Sequence, residues 1–333
     1  MRHVNIPIFI PELACPFQCI FCNQQKITGH HHLPKEEEII HTIESHLATI
    51  ELESTQVELA FFGGSFTGLS LDEQERLLRI PQSYIKEKSI QGIRISTRPD
   101  YISEEILEML KRMNVSAIEL GAQSLDEEVL LKAGRGHDVI DVRNASQLII
   151  RYGFELGLQM MIGLPGDTKE KALTTAQKIV QMGAQTTRIY PTLVIKDTAL
   201  EKLFYTDQYS PLSLEEAVDI VSAIIPIFEE ANVKLLKVGL HPSEGLLSGE
   251  DFVAGPFHTN FKEMVMSAIW YEKINRLLPF SGESKVAIYI PKRFYNYAIG
   301  YRAENKLKWN KFYDSVIFIS DDTLSNYPKI EIQ

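Results

Sequence analysis

An α/β fold, a partial (β/α)6 barrel with a small C-terminal α+β appendage, is what this sequence predicts. Three observations predict it. Short apolar runs alternate with helical stretches of a dozen or so residues from the N-terminus to about residue 200, the rhythm of parallel strands joined by right-handed crossovers. Each of the first five runs is followed by a distinctive turn rich in Cys, Gly, Arg or Gln, and the strand C-termini are where a β/α barrel keeps its chemistry. Beyond Pro211 the rhythm changes, so the rest is expected to form an extension and an appendage.

In order, Val4–Phe9 is the first strand, and a cysteine-bearing loop leads to an acidic helix from about Pro34 to Leu52. Val57–Phe62 is the second strand, ended by Gly63-Gly64. The helix from Leu71 has Asp72 and Glu73 at its positive N-terminal end. Gly92–Thr97 is the third strand, and Ser103 is placed to cap the next helix. Ser116–Gly121 is the fourth. Helices near 125–133 and 139–152 precede the fifth, Glu155–Ile162. Thr168–Met182 is helical, capped by Asp167 or Thr168, and Thr187–Val194 is the sixth strand. A helix over Ser213–Ala231, a strand-like Lys234–Leu240 and a helix ending at Leu278 follow. The predicted domains are a barrel over 1–210, a helical and strand extension over 211–280, and an antiparallel β appendage over 281–333 with strands near 285–291 and 315–320.

With 333 residues, 44% hydrophobic and 23% charged, the chain has an ordinary globular composition. It has no apolar run of membrane-spanning length and no signal sequence; a cytoplasmic protein is expected. The formal net charge of −10 argues against sequence-blind nucleic-acid binding by bulk electrostatics. The charge is uneven, however. Residues 285–312 carry Lys285, Lys292, Arg293, Arg302, Lys306, Lys308 and Lys311 against Glu304, interleaved with aromatics. Such a mixture can stack on and neutralise a nucleic acid, or can be a β hairpin with aromatics inward and lysines in water.

All three cysteines, Cys15, Cys19 and Cys22, form one C-x3-C-x2-C run. Three thiolates suit a four-iron cluster with one iron left for a small molecule, and S-adenosylmethionine (SAM) can fill that place through its amino and carboxylate groups. The rival is a structural zinc completed by His30, His31 or His32; the short loop and the lack of a second Cys or His pair weigh against it. Disulfides would leave a thiol over.

The other strand-end turns would complete a pocket. Phe17 and Phe21 would shield the cluster, with Phe21 against adenine. Gly63, Gly64 and Ser65 follow the second strand, and the glycines let backbone approach a ligand. Arg98, Gln123 and Arg135 are candidates for the ribose hydroxyls and the methionyl carboxylate, for which arginine's fork is suited. Glu119, inside an apolar strand, needs a partner, and Arg98 or Arg135 would supply one. Tyr190 is placed on the substrate side, and His137 either faces substrate or caps a helix. The Gly29–His32 run reads as a solvated loop.

These residues resemble a known family. The cysteine run is similar to the signature of radical SAM enzymes. Ser96-Thr-Arg-Pro-Asp-Tyr101, Ile118-Glu-Leu-Gly-Ala-Gln-Ser124, Arg135-Gly-His137, Gly163-Leu-Pro-Gly166, Ile189-Tyr-Pro-Thr-Leu-Val194 and Gly255-Pro-Phe-His-Thr-Asn-Phe261 resemble the radical SAM core of the elongator catalytic subunit, over roughly residues 1–275. The resemblance implies a 4Fe–4S cluster, SAM, and a 5′-deoxyadenosyl radical that abstracts hydrogen from a tRNA base or small metabolite. It also implies a one-electron donor such as a flavodoxin or ferredoxin. The elongator subunit spaces its first two cysteines more widely and carries an acetyltransferase domain, for which this tail is expected to be too short. The alternative is a nucleic-acid-binding protein with a structural metal site.

Overall fold

A computed structural model of the protein describes residues 2–11, 19–23, 26, 32–240, 243–278 and 285–332. Cys15 and Phe17 lie outside the described residues, as do His30 and His31.

The chain divides into two compact units, residues 1–213 with 227–257, and residues 214–226 with 258–333. The first unit begins with β1 (Arg2–Ile10), α1 (Glu36–Leu47), β2 (Thr55–Gly63), α2 (Leu71–Arg79) and a short α3 (Gln82–Lys86). It continues with β3 (Gly92–Thr97), α4 (Glu104–Arg112), β4 (Val115–Gln123), α5 (Glu127–Lys132), α6 (Val139–Arg151), β5 (Glu155–Ile162), α7 (Lys169–Gln181) and β6 (Thr186–Pro191). The parallel sheet is ordered β1 to β6 as in the chain, so each helix is a crossover between neighbours, the connection that parallel pairing requires.

Side-chain alternation decides what each face does. Ile6, Ile8 and Ile10 of β1, Val57, Leu59 and Phe61 of β2, and Ile93 and Ile95 of β3 are buried. The helices bury matching apolar residues, Ile39 and Ile43, Leu77 and Leu78, Leu107 and Leu110. Each such side chain contributes about 1.5–3 kcal/mol when fully buried. Local signals agree with this packing: the hydroxyls of Ser103 and Thr168 accept from the Ile106 and Lys171 N–H groups, capping α4 and α7.

The remainder of this unit adds to the sheet, and the expected sixth strand ends at Pro191. Beyond β7 (Val194–Ile195), α8 (Ala199–Tyr205) and α9 (Leu214–Glu230, whose first part belongs to the second unit), β8 (Lys234–Val238) pairs parallel with β6 as a seventh strand. α10 (Glu244–Ser248) and β9 (Phe252–Ala254) follow, and β9 pairs antiparallel with β7.

The second unit contains α11 (Phe261–Asn275), β10 (Lys285–Ile290), α12 (Tyr295–Ile299), α13 (Glu304–Trp309), β11 (Ser315–Ser320) and β12 (Lys329–Ile332). The expected antiparallel appendage is corrected here. β10 and β11 are parallel and only β12 is antiparallel to β10, because α12 and α13 carry the chain back between them where a hairpin turn would have reversed it. Several aromatics of the basic segment face inward: Trp309 stacks on Tyr271 at 5.0 Å, and Phe294 lies 4.9 Å from Trp270. Lys306, Lys308, Lys311 and Phe312 are exposed.

Candidate cofactor site

Charged residues occur at two levels of the barrel, and their partners differ. Inside the sheet, Glu58, Arg94, Glu119, Glu155 and Arg188 form one network. Arg94 donates to Glu58 from Nε (3.0 Å) and Nη2 (2.8 Å), to Glu155 (2.8 Å) and to Glu119 (3.5 Å). Arg188 grips Glu119 through Nε (2.6 Å) and Nη2 (3.0 Å), a bidentate geometry that only a guanidinium offers. Gln159 donates to Glu119 (2.8 Å) and Ser96 (3.2 Å), while His3 (2.9 Å) and Ser116 (2.8 Å) complete Glu58. Burial would raise the Glu58 pKa, but the His3 bond, the Arg94 charge and the Ser116 bond outweigh it and bring it to about 2.

The expected partner of Glu119 is therefore corrected: it is Arg188, with Arg94 and Gln159, and neither Arg98 nor Arg135. Register explains this. Ser96 lies opposite Glu119, and Gln159 opposite Arg188, so inward groups meet across adjacent strands, while Arg98 and Arg135 come after the strands have ended. Tyr190 is on β6, two residues beyond Arg188; it is half-buried, and burial raises its pKa.

At the C-terminal ends of the strands the described part of the cysteine run, residues 19–23, is tied down. Ile20 N–H donates to the Ala133 carbonyl (3.2 Å), Leu200 N–H to the Ile20 carbonyl (2.7 Å), and Cys22 N–H to the Cys19 carbonyl (3.0 Å). Phe21 is half-buried between two apolar clusters, one with Val129, Ala133 and Leu164 and one with Val194, Leu200 and Tyr209. Gly63 and Gly64 are accounted for by a close approach of backbone to backbone. A methyl at Gly63 would stand 2.4 Å from the Ile10 carbonyl oxygen, and one at Gly64 2.3 Å from that of Pro11; Gly63 also has φ +102°. Ser65 is buried, with its hydroxyl 2.8 Å from Thr97 Oγ1 and accepting from Arg98 N–H at 3.2 Å.

The arginines do different things. Arg98 donates from Nε and Nη2 to the two oxygens of Asp100 (2.9 Å each) and from Nη2 to the Arg135 carbonyl (2.6 Å). It braces the turn that carries Arg135. Arg135 donates from Nη2 to the Gly121 carbonyl (2.6 Å) and from Nη1 to Cys19 Sγ (3.1 Å), and both Arg135 and Cys19 are buried. Gln123, with φ +63°, folds back over the same glycine: a methyl at Gly121 would lie 2.9 Å from Gln123 Nε2 and 3.3 Å from Arg135 Nη2.

Buried polar atoms here lack partners. Among the described residues, Arg135 Nε, Gln123 Oε1 and both ring nitrogens of His137 make no hydrogen bond, although His137 lies towards the Ala122 backbone. Burial first, then the charges of Arg135 and Arg98, lower the His137 pKa to about 3; this residue is a neutral ring within the arginine cluster. Buried polar groups are nearly always paired, so orphaned ones point to a missing ligand or water. A cavity of about 410 Å³ at the Gly163–Gly166 turn is lined by residues including Lys132, Leu164, Asp167, Gln208 and Tyr209; Leu164 and Tyr209 also belong to the clusters against Phe21, while Arg98, Gln123, Arg135 and His137 are not in its lining. His32, of the predicted histidine loop, is exposed.

Comparison with known proteins now places the chain. The model of the radical SAM superfamily matches residues 10–179, and that of the radical SAM C-terminal domain matches 184–270. The chain belongs to the radical SAM superfamily. Among its relatives are the uncharacterized protein MJ0486 of Methanocaldococcus jannaschii, 26% identical over 64% of this chain and 64% of that protein, and the tRNA uridine(34) acetyltransferase of Methanocaldococcus infernus, 27% identical over 50% of this chain and 35% of that protein. The structure of the archaeal Elp3 from M. infernus, lacking its N-terminus, superposes with a TM-score of 0.62 at 21% identity, covering 83% of this chain and 63% of that one; it shares the fold. The chain thus spans about a third to two-thirds of the length of these proteins.

The superfamily implies a 4Fe–4S cluster and SAM, and the residues present fit both. Thiolates are the expected donors for iron. The unpartnered Arg135 Nε, a donor, and Gln123 Oε1, an acceptor, match the carboxylate, ammonium and hydroxyl groups that SAM presents.

Proposed function

We propose that this protein cleaves SAM reductively at a 4Fe–4S cluster held by Cys15, Cys19 and Cys22, and that its substrate is a tRNA base. The observation that supports the first half best is the convergence over Gly121 of Gln123 and Arg135, with Arg135 also bonded to Cys19. When bound, the cluster would supply the one electron that splits SAM into methionine and a 5′-deoxyadenosyl radical, the hard chemistry of the reaction. The chain's own residues do the rest. Arg135 and Gln123 orient the methionyl and ribose groups, Phe21 and its apolar neighbours keep water from the loop, and the Glu119–Arg188 network fixes the floor beneath. Tyr190 stands on the substrate side.

The tRNA half is supported by the relative named for tRNA uridine(34) acetylation and by the exposed Lys306, Lys308 and Lys311 beside Phe312 in the second unit, cations and an aromatic face suited to RNA. The reading carries with it a one-electron donor such as a flavodoxin or ferredoxin and a cytoplasmic setting; no described helix is long and apolar enough to cross a membrane.

Anaerobic reconstitution with SAM and dithionite tests it, with 5′-deoxyadenosine quantified against Cys19→Ala, with and without total tRNA. Product is expected from the intact protein alone, and more of it with tRNA. Charge reversal of Lys306, Lys308 and Lys311 is expected to weaken tRNA binding about tenfold or more at low salt. A protein carrying zinc and no iron or sulfide overturns the first half. Product indifferent to tRNA, with no salt-dependent tRNA affinity, overturns the second and points to a small metabolite.

A further inference from the structure

Arg135 reaches the cysteine loop as well as the cofactor side of the pocket. Its Nη1 donates to Cys19 Sγ at 3.1 Å, with both residues more than nine-tenths buried. Two further bonds hold that aim. Nη2 is fixed on the Gly121 carbonyl at 2.6 Å, and the Arg135 carbonyl is held by Arg98 Nη2 at 2.6 Å, with Arg98 itself clamped on both oxygens of Asp100. A charged donor braced from two sides and aimed at a cluster-ligand sulfur has an electrostatic consequence. Reduction adds negative charge to a cluster and its thiolates, and a buried N⁺–H···S bond favours the more negative state. The low local dielectric enlarges the effect relative to water.

We infer that Arg135 sets the reduction potential of the cluster by hydrogen-bonding Cys19, with Arg98 and Asp100 as the strut that positions it. The inference rests on the cluster assignment above and adds to the side chain's part in binding SAM. Nη1 and Nη2 are taken by sulfur and by Gly121, and Nε is the part left for SAM. Arg135 is a positioning residue in this role, acting through Cys19.

The test is a redox titration of the reconstituted protein without SAM, followed by the EPR signal of the reduced cluster, in the wild type and in Arg135→Lys, Arg135→Gln and Arg135→Leu. The midpoint is expected to fall in that order. From wild type to Arg135→Leu the equilibrium for reduction should drop about tenfold, which is about 60 mV for a one-electron couple. An exchangeable deuteron coupling, seen by pulsed EPR after transfer to D2O, should be present in the wild type and lost in Arg135→Leu. Clusters with full iron content and unchanged midpoints in all three variants overturn the inference. If these variants fail to hold a cluster, Asp100→Asn decides: a smaller shift in the same direction supports it, and an unchanged midpoint overturns it. Iron and sulfide analysis of the wild type separates failure of the cluster assignment from failure of this inference.

Discussion

The floor of the barrel and the rim at its strand ends are both rich in buried charge, yet they are finished differently. On the floor, Glu58, Arg94, Glu119, Glu155 and Arg188 all have partners within 2.6–3.5 Å. On the rim, Arg135, Gln123 and His137 each keep a buried polar atom unpartnered among the described residues. Two atoms on the strands that carry the floor, Asn5 Oδ1 on β1 opposite Glu58 and Thr186 Oγ1 on β6, are also unpartnered, but they belong to neutral side chains. A satisfied network rigidifies, whereas an unsatisfied one costs stability until something binds. The lesson is that completeness of hydrogen bonding, more than the presence of charge, separates the part of this barrel that holds the fold from the part that awaits a ligand.

The comparison breaks most visibly on the floor. Glu119→Leu removes the carboxylate shared by Arg188, Arg94 and Gln159 and leaves buried cations short of a partner, so a loss of about 3–5 kcal/mol is expected in denaturant unfolding. If the variant unfolds like the wild type, the floor is not structural.

A pH series sharpens the same point. The Glu58 carboxyl is lowered from 4.5 to about 2, so its contribution is fully present above pH 4.5 and lost as pH falls through the folded value. That contribution amounts to about 3 kcal/mol. The stability gap between wild type and Glu58→Gln should therefore narrow between pH 4.5 and 2. A gap that stays constant over that range contradicts the assignment.

On the rim the effect moves from stability to binding. Gly121→Ala pushes on the side-chain ends of Gln123 and Arg135, and the nearest backbone atom, the Thr97 carbonyl oxygen, is at an ordinary 3.7 Å; SAM affinity is expected to fall about tenfold, while stability changes by less than about 1 kcal/mol. Equilibrium dialysis and thermal unfolding of the same preparation read both. Ser65→Ala should do the least. Its hydroxyl is engaged by Thr97 and the Arg98 N–H, so about 1 kcal/mol of stability is lost and SAM affinity holds. A large affinity loss would return Ser65 to the ligand.

Much of this was legible in the chain. Gly92–Thr97 and Glu155–Ile162 fall where the apolar runs place them, because strand burial and turn chemistry are local signals. Ser103 and Thr168 cap as read. The Glu119 partner was not legible: Arg94 and Arg188 stand in apolar strands as Glu119 does, but which of them meet depends on register between strands. The parallel β10–β11 pair was hidden because a crossover through two short helices resembles a loop in sequence. Arg98 and Arg135 were equivalent candidates by type and placement; only geometry separates the brace from the side chain at Cys19.

The most direct test is the anaerobic SAM dissociation constant of the reconstituted protein carrying Gln123→Met, which removes the orphaned acceptor at nearly constant size. If the rim is a ligand site, affinity falls about tenfold, the worth of one buried hydrogen bond, while denaturant stability stays within about 1 kcal/mol of wild type. Unchanged SAM affinity in a variant of unchanged stability would contradict the division between floor and rim.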